Sequence, residues 1–325
     1  MTGQLAYWQA LNKALDAEME FDDSVMVLGE DVGLYGGTYR VTEGLYAKFG
    51  EWRVRDTPIS ENSFTGLAVG AAMLDLRPVV EIMTINFALL ALDSIINMAA
   101  KIPLMSGGQF KIPLVIRMPG GVAKQLAAQH SQRLEHTLMN VPGLRIAAPA
   151  FPQDAYWQLR QAIVSDDPII LLEHELLYFT KGMIREKHLP MHRARVCREG
   201  KDITIVAYSR MVLLALEAAE HLAAESIDAD VIDLRSLKPI DWETIGDSVK
   251  KTHNVIVVEE DCLFHGAGAE IAATLSHDFF YFLDAPVERV AALDIPTPYN
   301  AKLESESIPD TDKIISAAQK ILERS

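Results

Sequence analysis

The stretch Asp56-Thr57-Pro58-Ile59-Ser60-Glu61-Asn62, leading into Ser63-Phe64-Thr65-Gly66-Leu67-Ala68-Val69-Gly70, decides how the rest of the chain is read. Pro58 disfavours helix at Thr57, and Ser60 is placed to cap a helix whose first turn contains Glu61. Two readings of that carboxylate follow. It can be a solvated acid complementing the helix dipole. Alternatively, Gly66, Ala68, Gly70, Ala71 and Ala72 make the helix small-sided and apolar, suited to close packing against another backbone. Glu61 is then partly buried, the setting in which a carboxylate acquires an unusual proton affinity.

Working outward, Leu5, Trp8, Leu11, Leu15 and Met19 recur at helical spacing, and Val25-Met26-Val27-Leu28 follows as a buried strand. Gly29-Glu30-Asp31-Val32-Gly33 leaves that strand with two acids at its carboxyl end, where open α/β sheets bind ligands. Downstream, a strand over residues 77–83 precedes a helix over 88–101, and the strand 112–117 opens into a long loop, 118–133, holding Gln129-His130-Ser131-Gln132. Strands at 144–148 and 168–172 flank a helix over 154–165. This alternation predicts a parallel sheet wound by right-handed crossovers. Lys, Arg and His cluster over 181–200 without apolar periodicity, and the strand–helix pattern then restarts. The expectation is two α/β domains with parallel or mixed sheets: residues 1–185, a linker at 186–200, and residues 201–325.

Bulk properties narrow the function. With 325 residues and 49% hydrophobic content the chain can bury two sizeable cores. A net charge of -15 and a pI near 5.0 oppose nucleic-acid binding, which needs clustered Lys and Arg. Cys197 and Cys262 lack CxxC spacing, so neither a disulfide framework nor a zinc site is expected. The first residues show no targeting pattern. A bacterial cytoplasm, or an organelle matrix or stroma after presequence removal, is the expected compartment. The most apolar window, 82–100, contains Asn86, Asp93 and Asn97 and reads as a buried strand end plus a buried helix rather than a membrane span.

Several signatures fail on inspection. Gly266-Ala267-Gly268-Ala269-Glu270-Ile271 has Ile where a dinucleotide fingerprint needs its third glycine, and His174-Glu175-Leu176-Leu177-Tyr178 has Tyr where a second zinc ligand belongs. No phosphate-binding Walker loop or GxSxG elbow is present. His130, in a glycine-bounded loop with neutral polar neighbours, is either structural or catalytic. Met83-Thr84-Ile85-Asn86-Phe87 ends a strand, so its side chains either line a pocket or fill the core.

Taken together, Asp56-Thr57-Pro58-Ile59-Ser60-Glu61, Gly66-Leu67-Ala68-Val69-Gly70-Ala71-Ala72, Met83-Thr84-Ile85-Asn86-Phe87, Met105-Ser106-Gly107-Gly108 and Ala127-Ala128-Gln129-His130-Ser131-Gln132 resemble the beta subunits of thiamine-diphosphate-dependent 2-oxoacid dehydrogenases. The resemblance extends over essentially the whole chain, through Glu259-Glu260 to Pro298-Tyr299-Asn300. In the Met-Thr-Ile-Asn-Phe segment it is nearest to pyruvate dehydrogenase. It implies a transketolase-like pyrimidine-binding domain followed by a transketolase C-terminal-like domain. The implied partners are an alpha subunit in an alpha2beta2 tetramer and a lipoyl-bearing acetyltransferase; the substrate is pyruvate. The chain has no Gly-Asp-Gly segment, so the resemblance assigns magnesium and diphosphate binding to the alpha subunit and makes this chain half of an active site.

By the same correspondence Glu61 shares a proton with N1′ of the cofactor's aminopyrimidine, favouring the imino form whose 4′-nitrogen takes the C2 proton. His130 lies near substrate and lipoyl sulfur, and Phe87 and Met83 line the pyrimidine pocket. Some relatives bind potassium through main-chain carbonyls at positions matching Leu114, Ala162, Ile163 and Asp167, with Ser165 standing where an acid is frequent. The alternatives are a branched-chain 2-oxoacid or acetoin dehydrogenase beta subunit, or a noncatalytic scaffolding subunit.

Overall fold

Val25–Gly29, Arg77–Glu81, Val115–Gly120 and Ile169–His174 each carry a run of adjacent apolar residues and are buried almost throughout, as strands covered on both faces must be. With Val54–Asp56 and Arg145–Ala147 they pair in parallel, in the spatial order Arg145–Ala147, Ile169–His174, Val115–Gly120, Arg77–Glu81, Val25–Gly29, Val54–Asp56. These strands belong to the first of two compact units, Met1–Gly120 with Thr137–Met191; the second is Gly121–His136 with His192–Ser325. The computed structural model describes residues 3–122 and 124–323; Met1 and Thr2, which open the segment read for targeting, lie outside them.

In the first unit the helix Tyr7–Phe21 turns Tyr7, Leu11, Leu15 and Met19 inward and packs on the helix Pro152–Ile163. Arg160 donates to Glu18 across that contact. A small antiparallel pair, Gln4–Ala6 with Lys181–Met183, ties the ends of the unit together. The second unit is built on a sheet in the order Glu288–Ala292, Val255–Cys262, Ile203–Ala207, Ala229–Asp233, Arg195–Arg198. Its last strand runs antiparallel, so this sheet is mixed, one of the two forms expected. Arg195–Arg198 falls inside the stretch expected as a linker, and Gly121–His136, expected in the first domain, groups with the second unit.

Two local expectations also change. The helix expected over 88–101 is divided: Ile85–Ala91 winds as a 3-10 helix, Asp93–Ala99 as a π-helix, and Ile102–Met105 as one α-turn with Pro103 at its start. Both of the first two segments pack on the helix Glu61–Ala72. The proline-punctuated segment at 297–309 contains a further helix, Ala301–Ser307, whose N-cap Asn300 accepts from the backbone of Lys302 and Leu303. Among the described residues no single helix is long and apolar enough to cross a membrane.

Candidate active site

The helix Glu61–Ala72 forms where expected, with Phe64, Thr65, Ala68, Val69 and Ala72 on its buried face. Glu61 begins that same face and is only 4% exposed, which removes the solvated-acid reading. The expected cap is absent. The Ser60 carbonyl accepts from Ser63 N and Phe64 N as the first turn requires, but its side chain makes no bond to the helix backbone, and its hydroxyl donates to Ser63 Oγ at 2.7 Å instead. Close packing holds at Gly66, where an added Cβ would lie 3.3 Å from Ser94 Oγ, but Gly70 faces open space.

Glu30 stands at the carboxyl end of Val25–Gly29 and is buried, with Oε1 lacking a hydrogen-bond partner. Burial, and then the Glu61 and Asp31 carboxylates, push its pKa up. The charge on Glu61 thus makes it harder for Glu30 to lose its proton. Sequence pattern marks Glu30 only as an acid at a strand end. The signal that could have singled it out is that position, where α/β sheets present ligand-binding groups.

Met83 and Phe87 are half-buried at the end of Arg77–Glu81. The turn carrying them is held by Phe87 N donating to Thr84 O at 3.0 Å and Asn86 Nδ2 donating to Thr84 Oγ1 at 2.6 Å. Ile85 fills the space a side chain at Gly120 would need, since a Cβ there would meet Ile85 Cγ2 at 2.8 Å. Glu61, Glu30, Met83 and Phe87 thus all belong to the first unit, and the helix bearing Glu61 packs directly on the segment bearing Phe87.

Beneath this lies a charge cluster that no motif announces. Arg117 is 1% exposed; it donates to Glu81 and forks onto Glu173 with two bonds of 2.7 Å. Tyr178 adds a third donor to Glu173 at 2.6 Å, and Tyr39 stacks on Tyr178 with ring centroids 4.4 Å apart. Burial raises the Glu81 pKa against the opposing pull of Arg117. Burial and the neighbouring Glu175 carboxylate hold the Tyr39 phenol well above its ordinary value. The cluster joins the carboxyl ends of three adjacent strands under the segment that bears Met83.

His130 is exposed, on the 3-10 turn Ala128–His130, in the segment that groups with the second unit. Positive φ at Gln125 (54°) and Ala127 (61°) shows that the loop is held in a strained form. Its anchors are acids of the second unit. Val122 N donates to Glu260 Oε1 at 3.2 Å, Gln125 N to Glu304 Oε1 at 2.9 Å, and Arg133 pairs with Glu260 at 3.3 Å. His136 Nδ1 meets Asp261 Oδ2 at 2.6 Å. Together these elements line a cavity of about 640 Å³, with Ser131, Arg133, His136, Asp261 and Phe264 on its wall.

The hydrogen bond to Asp261 raises the His136 pKa, and burial followed by Asp261 pushes Glu135 up to about 7. Glu135 Oε2 is buried without a hydrogen-bond partner. Both shifts are upward, so the stability they contribute is complete below the ordinary pKa values and is lost as pH rises through the shifted ones. Glu135→Gln is therefore expected to match the parent unfolding temperature near about pH 5 and to exceed it near about pH 8. A gap independent of pH in thermal melts would show that Glu135 does not take up the proton.

At the positions expected for potassium the carbonyls take ordinary hydrogen bonds within the protein. The Ile163 and Ser165 carbonyls accept from Arg77 Nη1 at 3.0 and 2.9 Å, the Leu114 carbonyl accepts from Ile169 N, and the Ala162 carbonyl from Ser165 N. Asp167 pairs with Arg145 at 2.8 Å. Arg77 thus supplies positive charge at the Ile163 and Ser165 carbonyls. Among the described residues no group of three or more His, Cys, Asp or Glu is gathered for a metal. The glycine turn before Ala267–Asp278 is likewise filled from within: Gly268 N donates to Glu259 Oε2 at 2.8 Å, where a phosphate would sit in a dinucleotide fold.

Residues 3–181 match the model of the transketolase pyrimidine binding domain, and residues 192–314 that of the transketolase C-terminal domain. A solved split-gene transketolase, an inactive beta4 tetramer, superposes with a TM-score of 0.81 at 26% identity over 99% of both chains. A transketolase from Pichia stipitis shares the fold at a TM-score of 0.72 and 13% identity, over 98% of this chain and 46% of that one. Fold and site thus define a transketolase-like protein that carries the pyrimidine-binding half.

Within that class the chain belongs to the family of pyruvate dehydrogenase E1 component beta subunits. It is 47% identical over 320 residues to the subunit of Chaetosphaeridium globosum, covering 98% of each, and 49% identical to that of Porphyra purpurea, covering 98% of this chain and 97% of the relative. The mitochondrial beta-1 subunit of Arabidopsis thaliana is 48% identical over 322 residues, covering 97% of this chain and 89% of the relative.

Proposed function

We propose that this chain, paired with an alpha subunit in an alpha2beta2 tetramer, decarboxylates pyruvate and passes the acetyl group to a lipoyl group of the acetyltransferase component, with Glu61 as the proton partner of the cofactor. The observation that carries this reading is a carboxyl buried at a helix start beside a second buried acid, Glu30, whose Oε1 has no hydrogen-bond partner. Thiamine diphosphate, when bound, supplies the electron sink for loss of carbon dioxide from a 2-oxoacid. Glu61 would hold a proton toward N1′ of the aminopyrimidine, with the buried Glu30 beside it. Met83 and Phe87 offer half-buried apolar faces to the ring. His130, exposed on its turn, would hand a proton to substrate or to a lipoyl thiolate. The chain lacks a Gly-Asp-Gly segment, so magnesium and the diphosphate fall to the alpha subunit.

Turnover of pyruvate, 2-oxoisovalerate and acetoin by the chain mixed with its alpha subunit tests the substrate. Pyruvate is expected to dominate; preference for either other compound would move the chain to the branched-chain or acetoin branch. In the same tetramer His130→Ala is expected to slow lipoyl acetylation by about 100-fold, the usual scale of a lost general acid. A variant unchanged in both decarboxylation and acetylation removes His130 from the chemistry.

A further inference from the structure

We infer that Ser94, at the start of the π-helical segment, is a positioning residue for Glu61, acting through the backbone of Asn62. This rests on the reading of Glu61 given above. The helix Glu61–Ala72 begins without a side-chain cap, because Ser60 bonds Ser63. An uncapped first turn frays readily. Yet a proton donor or acceptor has to be held within about 0.5 Å to work. Something other than a cap must fix this turn.

Ser94 does so from the neighbouring segment. Its hydroxyl lies 3.0 Å from the carbonyl oxygen of Asn62 and 2.8 Å from Asn62 Oδ1, so one proton is shared between the main chain and the side chain of the residue after Glu61. Ser94 is 2% exposed, and water cannot take over the bond. The Asn62 carbonyl lies in the first helical turn, where the bond clamps the backbone one residue from Glu61. Two local irregularities become intelligible. Asp93–Ala99 winds as a π-helix, a form often found at functional sites, and its buried side brings Ser94 to the other helix while Asn97 bonds Asp93 on the exposed side. Residue 66 is glycine, and a Cβ there would approach Ser94 Oγ to 3.3 Å, tighter than ordinary contact.

The test uses the alpha2beta2 tetramer. Amide hydrogen exchange over residues 61–66 is read without cofactor; the rate of C2 proton exchange of added thiamine diphosphate and its dissociation constant are read with it. Ser94→Ala is expected to speed amide exchange at the helix start and to slow C2 exchange about five- to ten-fold, the worth of one lost hydrogen bond, with a smaller change in affinity. Gly66→Ala should do the same by pushing Ser94 away, and the double variant should be no worse than either single one. It also serves if Ser94→Ala fails to assemble. Unchanged amide and C2 exchange in the single variants, or fully additive losses in the double variant, overturns the positioning role. Glu61→Gln is run alongside: if it leaves C2 exchange intact, the Glu61 reading fails, whereas loss in Glu61→Gln with none in Ser94→Ala defeats only the inference about Ser94.

Discussion

Glu61→Gln, in the tetramer reconstituted with an alpha subunit, is expected to lose pyruvate-dependent turnover by about a thousand-fold, within the range set by removing a positioned acid–base group. The amide keeps the shape of the side chain and cannot share an acidic proton. The fold should survive, because Glu61 begins the buried face of its helix but neither Ser60 nor any other side chain depends on it as a cap. Removing one of two mutually repelling acids also relieves Glu30, whose pKa Glu61 helps to raise. The expected signature is therefore an unfolding temperature equal to or slightly above the parent's, together with collapsed turnover. Near-normal turnover would instead support the scaffolding alternative, in which the chain only assembles the complex.

Arg117→Met is expected to have the largest effect on stability, a loss of about 3–5 kcal/mol, as when one partner of a buried ion pair is removed. Arg117 is the cation shared by Glu81 and Glu173, and all three are buried. Without it two carboxylates face each other in the sheet with only Tyr178 donating to Glu173. The cost should shrink as pH falls, because a proton on either carboxyl removes the uncompensated charge. Adding Glu81→Gln to Arg117→Met should recover part of the loss, since the desolvation penalty belongs to the stranded charge. Denaturant unfolding of the single and double variants at two pH values checks this. A loss under about 1 kcal/mol for Arg117→Met, the range of an exposed pair, would show that the cluster is open to water.

Much of the fold is written locally. Leu5, Trp8, Leu11, Leu15 and Met19 mark the helix Tyr7–Phe21, and the runs at Val25 and Ile169 mark buried strands, because periodicity of 3.6 and unbroken apolar runs report burial one element at a time. Pro58 and the small residues after it mark the start of the helix bearing Glu61. The same local rules fail at Ser60, whose hydroxyl donates to Ser63 three residues on instead of accepting from the helix backbone. They fail over 88–101 as well, where contact with another helix overrides a helical pattern. They could not find Arg117 with Glu81 and Glu173, which are 36 and 56 residues away in sequence. Only parallel register brings those three strand ends together.

For the stretch from Asp56 to Gly70, the sequence by itself determined that a helix begins at Glu61 and, through its resemblance to a family, which role the carboxylate there is proposed to have. Tertiary structure alone decided that the carboxylate is buried, that it stands close enough to Glu30 to help raise the Glu30 pKa, and that Ser94 rather than the Ser60 side chain holds the turn. The physical reason is range. Backbone propensity and turn chemistry act over a few residues, whereas burial and charge coupling depend on which distant segments the sheet sets side by side.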